Sequence, residues 1–195
     1  MNCFRHLPLL LSWFLLALTA DAKTVVIDAG HGGHDRGGGP GQKIPEKPYA
    51  LDIAQRLQRI LSGCGYKTVM TRNGDYFVTL GGRVAIANAQ RDAIFVSVHL
   101  NSAPREGADG IETYYYSGRS AKIAAAIHPR LVSAAGTENR GVRQRGFYVI
   151  RNTRIPSVLC ECGFLTNRAE ARRLLTPEHR QKLAQAIANG VMSVY

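Results

Sequence analysis

Apolar positions along this chain follow two rhythms. Six short runs rich in β-branched and aromatic residues predict strands: TVVID (24–28), YKTVMTR (66–72), AIFVSVH (93–99), GIETYYY (110–116), GFYVIR (146–151) and SVLCECG (157–163). Between them, small and apolar residues recur at helical spacing. Ala50, Leu51, Ala54, Leu57 and Leu61 define a helix beyond Pro45, closed by the glycines of SGCG. A helix from Leu80 to Gln90 is expected to turn Leu80, Val84 and Ala87 inward, and the alanine-rich stretch 119–135 predicts another. Asn167 caps a short helix with Glu170 three residues on, and Thr176-Pro177 opens a terminal helix with Leu183, Ile187 and Val191 inward. Strands alternating with helices predict an α/β domain on a central, largely parallel sheet.

The first twenty-two residues stand apart from this pattern. Arg5 and His6 precede the apolar run LPLLLSWFLLALTA, which ends in Ala20-Asp21-Ala22, the form of a secretory signal with an A-x-A cleavage site. The run from Leu7 to Ala20 falls short of the ~20 apolar residues that span a bilayer, so a cleaved leader (1–22) is expected in place of an anchor. Residues 23–195 then form one domain, large enough for a full core.

Charge adds a second constraint. The 195 residues carry 25 Lys and Arg against 14 Asp and Glu, a net +11 that loss of the leader leaves unchanged. An exported basic protein attracts polyanions, and charge alone leaves nucleic acid, acidic lipid and acidic glycan open. Cys64, Cys160 and Cys162 follow the leader, an odd number. Cys160 and Cys162 share one face of an expected strand, too close in sequence for an unstrained bridge, and read as small buried hydrophobes.

In an open α/β sheet, ligands gather at the carboxyl ends of the strands. His31, Glu46, His99 and Glu161 fall at or just past such ends. Two imidazoles and one carboxylate are the ligand set of a catalytic zinc site with an open fourth position. Glu161 stands among apolar neighbours in SVLCECGF, where a carboxylate needs a nearby cation, and it is the candidate base for a zinc-activated water. A nucleotide loop fits poorly. Gly30-His31-Gly32 has the first spacing of a dinucleotide fingerprint, but position 35 is Asp35 and no helix follows directly.

Four motifs in order, DAGHGGHDRG with EK at 46–47, TR…D from Thr71, FVSVHLNS (95–102) and IPSVLCECGFLTN (155–167), resemble the zinc-dependent N-acetylmuramoyl-L-alanine amidases of the amidase 3 family. The resemblance covers essentially the whole of residues 23–195. It implies a six-stranded mixed, mostly parallel sheet flanked by helices. It also implies one Zn2+ per chain on His31, Glu46 and His99, with Glu161 as the catalytic glutamate. The implied reaction hydrolyses the amide between the lactyl group of N-acetylmuramic acid and the L-alanine of the stem peptide. Peptidoglycan is then the partner, without nucleic acid or nucleotide, and the place of action is the periplasm, cell wall or medium. A monomer is expected, and a separate activator stays open.

Asp28, Arg72 and Asn101 lie beside ligands or at strand ends and are candidates for orienting ligands or touching substrate, whereas His34 is read as a loop residue. Pro48 departs from the polar residue more usual after Glu46-Lys47, but the first turn of a helix tolerates proline. Some division amidases of this family carry an inserted helical plug over the zinc. Here Ser117 to Arg145 has room for one ordinary helix, which predicts a site without a built-in plug. A zinc peptidase cutting the stem peptide and a wall-binding protein with a structural zinc are the alternatives.

Overall fold

The computed structural model describes residues 22–39, 42–104 and 107–195, so the expected leader, apart from Ala22, lies outside the described residues. The strands are β1 (Thr24–Ala29), β2 (Lys67–Met70), β3 (Ala93–Asn101), β4 (Ile111–Tyr115), β5 (Asn139–Gln144) and β6 (Ser157–Phe164). The helices are α1 (Lys47–Gly63), α2 (Leu80–Asn88), α3 (Gly118–Ala135), α4 (Tyr148–Asn152), α5 (Arg168–Leu174) and α6 (Pro177–Met192). The strands form one sheet in the order β2-β1-β3-β6-β4-β5. β2, β1, β3 and β6 run parallel, and β4 lies antiparallel to β6 and parallel to β5. This is the mixed, mostly parallel six-stranded sheet expected.

Period-two alternation divides the sheet into unlike faces. Val25, Ile27, Val96, Val98, Ile111, Val158, Cys160 and Cys162 point to one side, where they pack against Ile53, Leu57 and Leu61 of α1, Ile127 and Leu131 of α3, and Leu183 and Ile187 of α6. The other side holds a smaller apolar cluster, Val26, Phe95, Tyr114 and Leu159 under Ala87 of α2 and Val149 and Ile150 of α4. Towards the carboxyl ends of β1, β3 and β6 this second face turns polar. Asp28, Ser97, His99 and Glu161 follow in the alternation.

Three expectations change. Residues 146–151 hold a single-turn helix, α4, in place of a strand. An apolar run this short does not separate the two by its pattern, and here Val149 and Ile150 are buried on the sheet face while Phe147 and Tyr148 remain exposed. The sixth strand is instead the polar segment NRGVRQ of β5, an edge strand whose charged side chains hide it from a search for apolar alternation. In α2 the buried residues are Arg83 and Ala87, while Leu80 is exposed. An ion pair under the helix has taken the place of an apolar contact.

Elsewhere the local signals hold. Thr176 caps α6, Asn167 accepts from the backbone N–H groups of Ala169 and Glu170, and Pro48 sits in the first turn of α1. Glu170 does more than close a cap, since its carboxylate accepts from the N–H groups of Phe164 at 2.6 Å and Gly110 at 3.1 Å, tying β6 to the start of β4. At the opposite end of the sheet Lys23 donates to the Tyr195 carbonyl, and the Tyr195 hydroxyl donates to the Asp92 carbonyl. Cys64, Cys160 and Cys162 are free thiols.

Candidate metal centre and catalytic carboxylate

Parallel pairing of β1, β3 and β6 brings their carboxyl ends side by side, with His99 directly opposite Glu161. Just past β1 the chain turns so that His31 adopts a left-handed φ of 61°, uncommon for a residue with a side chain and a form of strain that clusters at functional sites. Gly30 makes room for this: a Cβ there would stand 2.4 Å from His99 Cε1. Gly37, at φ +72°, lets the loop pass beneath His31 and Glu46, since a Cβ on it would meet both side chains within 2.8 Å. The loop returns to the start of α1, where Glu46 is buried and its N–H donates to the Arg36 carbonyl at 2.8 Å.

Ligand atoms of His31, Glu46 and His99 all lie within 4.8 Å of one another. His31 Nε2 is 3.0 Å from Glu46 Oε2, and His99 Nδ1 is 2.8 Å from Glu46 Oε1. The two imidazoles stand edge to face, with centroids 4.9 Å apart. Burial opposes charge on Glu46, but the His99 and His31 rings hold its carboxyl down to about 2. Burial likewise opposes charge on His99, and the Glu46 and Glu161 carboxylates raise it to about 9. Burial pushes the Glu161 carboxyl up to about 8, with Glu46 and Glu112 adding to the shift and the imidazoles opposing it. Glu161 Oε2 is buried and has no hydrogen-bond partner among the described residues.

These donors fit a divalent cation. Two neutral-capable imidazoles and a carboxylate suit zinc, and the partnerless Glu161 oxygen beside them suits a polar group that the protein does not itself supply.

The surrounding groups explain how the loop is held. Asp35, four residues past His31, places Oδ2 2.8 Å from His31 Nδ1, leaving Nε2 to face the shared point. Asp28 is wholly buried. Burial would raise its carboxyl, but the Arg83 guanidinium and the Thr71 and Ser97 hydroxyls hold it below the usual range. Those three donors reach it at 2.7, 2.6 and 2.7 Å. Arg83 also donates to the carbonyls of Ala29 at 2.5 Å and His31 at 2.6 Å.

Arg72, 1% exposed, donates to the carbonyls of Ala29, Gly30, Lys47 and Gly74. It therefore clamps the loop from within. Asn101 donates to Glu112 at 2.7 Å, and His34 is exposed and stacks on Phe77 outside the ligand cluster. Asp35 and Arg83 escaped the sequence reading. Their signals were a carboxylate four residues from His31 and a lone arginine on the inward stripe of an otherwise apolar helix.

A cavity of about 440 Å³ opens beside His31 and His99, over Leu159. Phe77 and Leu80 form one lip and Phe147 and Tyr148 the other, all four exposed.

The family model described as N-acetylmuramoyl-L-alanine amidase matches residues 25–193 of the chain. The chain belongs to this amidase family. Among curated members and relatives, LytC of Bacillus subtilis (strain 168), an N-acetylmuramoyl-L-alanine amidase, is 38% identical over 177 residues, covering 89% of this chain and 36% of LytC. The probable cell wall amidase LytH of Staphylococcus epidermidis is 34% identical over 175 residues, 89% of this chain and 58% of LytH. The chain thus spans about a third to three-fifths of these two relatives. It is 43% identical to YqiI of Bacillus subtilis (strain 168) over 90% of this chain and 86% of that one. Of the solved amidases, the catalytic domain of CwlV from Bacillus (Paenibacillus) polymyxa var. colistinus superposes with a TM-score of 0.84 at 38% identity, covering 88% of this chain and 97% of that one. AmiC2 of Nostoc punctiforme gives 0.82 at 39% identity, covering 88% and 96%. The six-stranded sheet flanked by helices is therefore the fold of an amidase catalytic domain.

Proposed function

We propose that this amidase is an exported peptidoglycan hydrolase that cuts the bond between the lactyl carbonyl of N-acetylmuramic acid and the L-alanine of the stem peptide. The observation that carries the mechanism is the buried, partnerless Oε2 of Glu161, held opposite His99. His31, Glu46 and His99 would hold one zinc ion, which when bound polarises a carbonyl oxygen and acidifies a water. Glu161 accepts the proton of the attacking water and returns it to the departing alanine nitrogen. Asp35 fixes the His31 ring, and Arg72 and Arg83 fix the backbone carrying it.

The leader directs residues 23–195, the catalytic domain, outside the cytoplasm, and the +11 charge favours an acidic wall polymer. Residues 117–145 hold α3 and β5. The buried side of α3 packs on the face opposite Glu161, which supports a site without a built-in plug. One solved relative, the CwlD amidase of Clostridioides difficile, was determined in complex with the GerS lipoprotein. For this chain we expect activity without such a partner.

Digestion of purified sacculi, with and without a chelator, tests the reading. Released peptides should begin with alanine, glycan strands should be left bare, and the chelator should stop the reaction. Cleavage within the stem peptide would identify a peptidase, and a requirement for an added activator would refute the open site.

A further inference from the structure

Beyond the identity of the bond lies the direction in which the substrate crosses the site. Among the described residues, the cleft beside His31 and His99 offers apolar lips and, apart from those two imidazoles, no free cationic side chain. Its charged lining residues are Asp28, Asp35 and Arg83, and the Arg83 guanidinium is spent on Asp28 and on the carbonyls of Val78, Ala29 and His31. Away from the two imidazoles, an anion entering here would meet the Asp35 carboxylate and aromatic rings. A neutral saccharide ring, with its apolar C–H face, fits the lips formed by Phe147 and Tyr148.

The other flank of Glu161 has the opposite character. Glu112 of β4 pairs across from Glu161, and Arg143 of β5 pairs across from Tyr114, on the same face of the sheet. Glu112 is buried and already accepts from Asn101 at 2.7 Å, Tyr114 at 2.7 Å and Arg140 at 3.2 Å. Arg143 Nη2 lies 3.8 Å from Glu112, beyond hydrogen-bonding distance, and its side chain is 43% exposed. Its one hydrogen bond among the described residues runs from Nε to the Arg140 carbonyl at 3.1 Å, so both terminal nitrogens are available.

Resting on the amidase reading, we propose that the stem peptide leaves the reacting amide towards β5, where Arg143 binds the free carboxylate of the residue after alanine, while the muramoyl sugar lies in the aromatic cleft. The lengths agree. Side chains paired across neighbouring strands lie about 5 Å apart, which with the 3.8 Å to Glu112 puts the Arg143 guanidinium on the order of 9 Å from the Glu161 carboxyl. Two extended residues span at most about 7 Å, and a charge-assisted hydrogen bond adds about 2.8 Å. Arg143 is then a specificity residue, favouring a second stem residue that carries a carboxylate over one whose carboxylate is amidated.

The test compares two defined compounds, N-acetylmuramoyl-L-alanyl-D-glutamate and its amidated counterpart, N-acetylmuramoyl-L-alanyl-D-isoglutamine, with the zinc-loaded enzyme. We expect kcat/KM to favour the acid about tenfold or more, the worth of a hydrogen bond to a charged group. Arg143→Gln should bring the ratio near one, chiefly by raising KM for the acid, and Arg143→Lys should restore part of it; matching melting temperatures exclude a folding defect. A wild-type ratio near one, or an Arg143→Gln enzyme that keeps the preference, overturns the assignment. Cleavage of neither compound at the lactyl–alanine bond overturns the amidase reading itself, which is a different result from cleavage with an unchanged ratio.

Discussion

The two faces of the sheet are made by the same strands, and they do different work. In β3, Val96 and Val98 sink into the layer of α1, α3 and α6, while Ser97 and His99, one residue away in each case, reach Asp28 and Glu46. In β6, Cys160 and Cys162 face the helical layer and flank Glu161, which lies on the other face across from His99. Apolar burial under three long helices supplies stability on one side. The other side, where among the described residues α2 and the single turn of α4 cover a smaller apolar cluster, is left to hold the polar groups. A site that gathers carboxylates, imidazoles and guanidiniums is costly to fold, and the helical face offsets that cost.

This contrast can be broken from either side. The largest effect should come from Glu161→Gln, which keeps the shape and removes the proposed base. Hydrolysis should fall by about 10²–10⁴-fold with zinc retained and the melting temperature not lowered, measured on sacculi and by metal analysis. Retained hydrolysis would remove Glu161 from the mechanism. Arg83→Met should cost about 3–5 kcal/mol in denaturant unfolding, because it leaves Asp28 charged and buried without its guanidinium.

The same pair sets a pH dependence whose sign can be checked. Asp28 is held below the usual carboxylate range when folded, so its stabilisation is complete above a pH of about 4 and is lost as pH falls through the lower folded value. In Arg83→Met, burial without the guanidinium favours the protonated acid, so acidification from pH 7 should stabilise the variant over the range where Asp28 protonates. On the helical face, Leu57→Ala should cost about 2–5 kcal/mol by opening a cavity, with kcat per folded molecule unchanged. If that substitution altered kcat as strongly as stability, the division of labour between the faces would be wrong. The smallest effect is expected from Tyr148→Ala at the cleft lip, a rise of several-fold in KM for glycan substrates with little change in melting temperature.

How legible each face was in the sequence follows from the same division. The covered face writes itself into the chain as apolar period, so β1, β3, β6, α1, α3 and α6 were found close to their observed positions. His31, Glu46, His99 and Glu161 were singled out because parallel strands deliver their carboxyl ends to one place, and the structure brings the first three together. The elements that border the cleft were harder. β5 is an edge strand written in polar residues, and α4 buries only Val149 and Ile150 from a run that could equally have paired. Arg83 and Asp35 act through backbone carbonyls and a ring nitrogen, contacts that depend on how a loop of some fifteen residues folds back, and no local pattern encodes that path.

The ties from Lys23 to Tyr195 and from Tyr195 to Asp92 have a further consequence. They gather both ends of the domain at the rim where β1 begins, roughly 17 Å of strand from the turn that carries His31. Anything spliced on before Thr24 or beyond Tyr195 therefore hangs from the back of the enzyme. The cutting edge can be carried on a leader, a tether or another domain without being blunted by its handle.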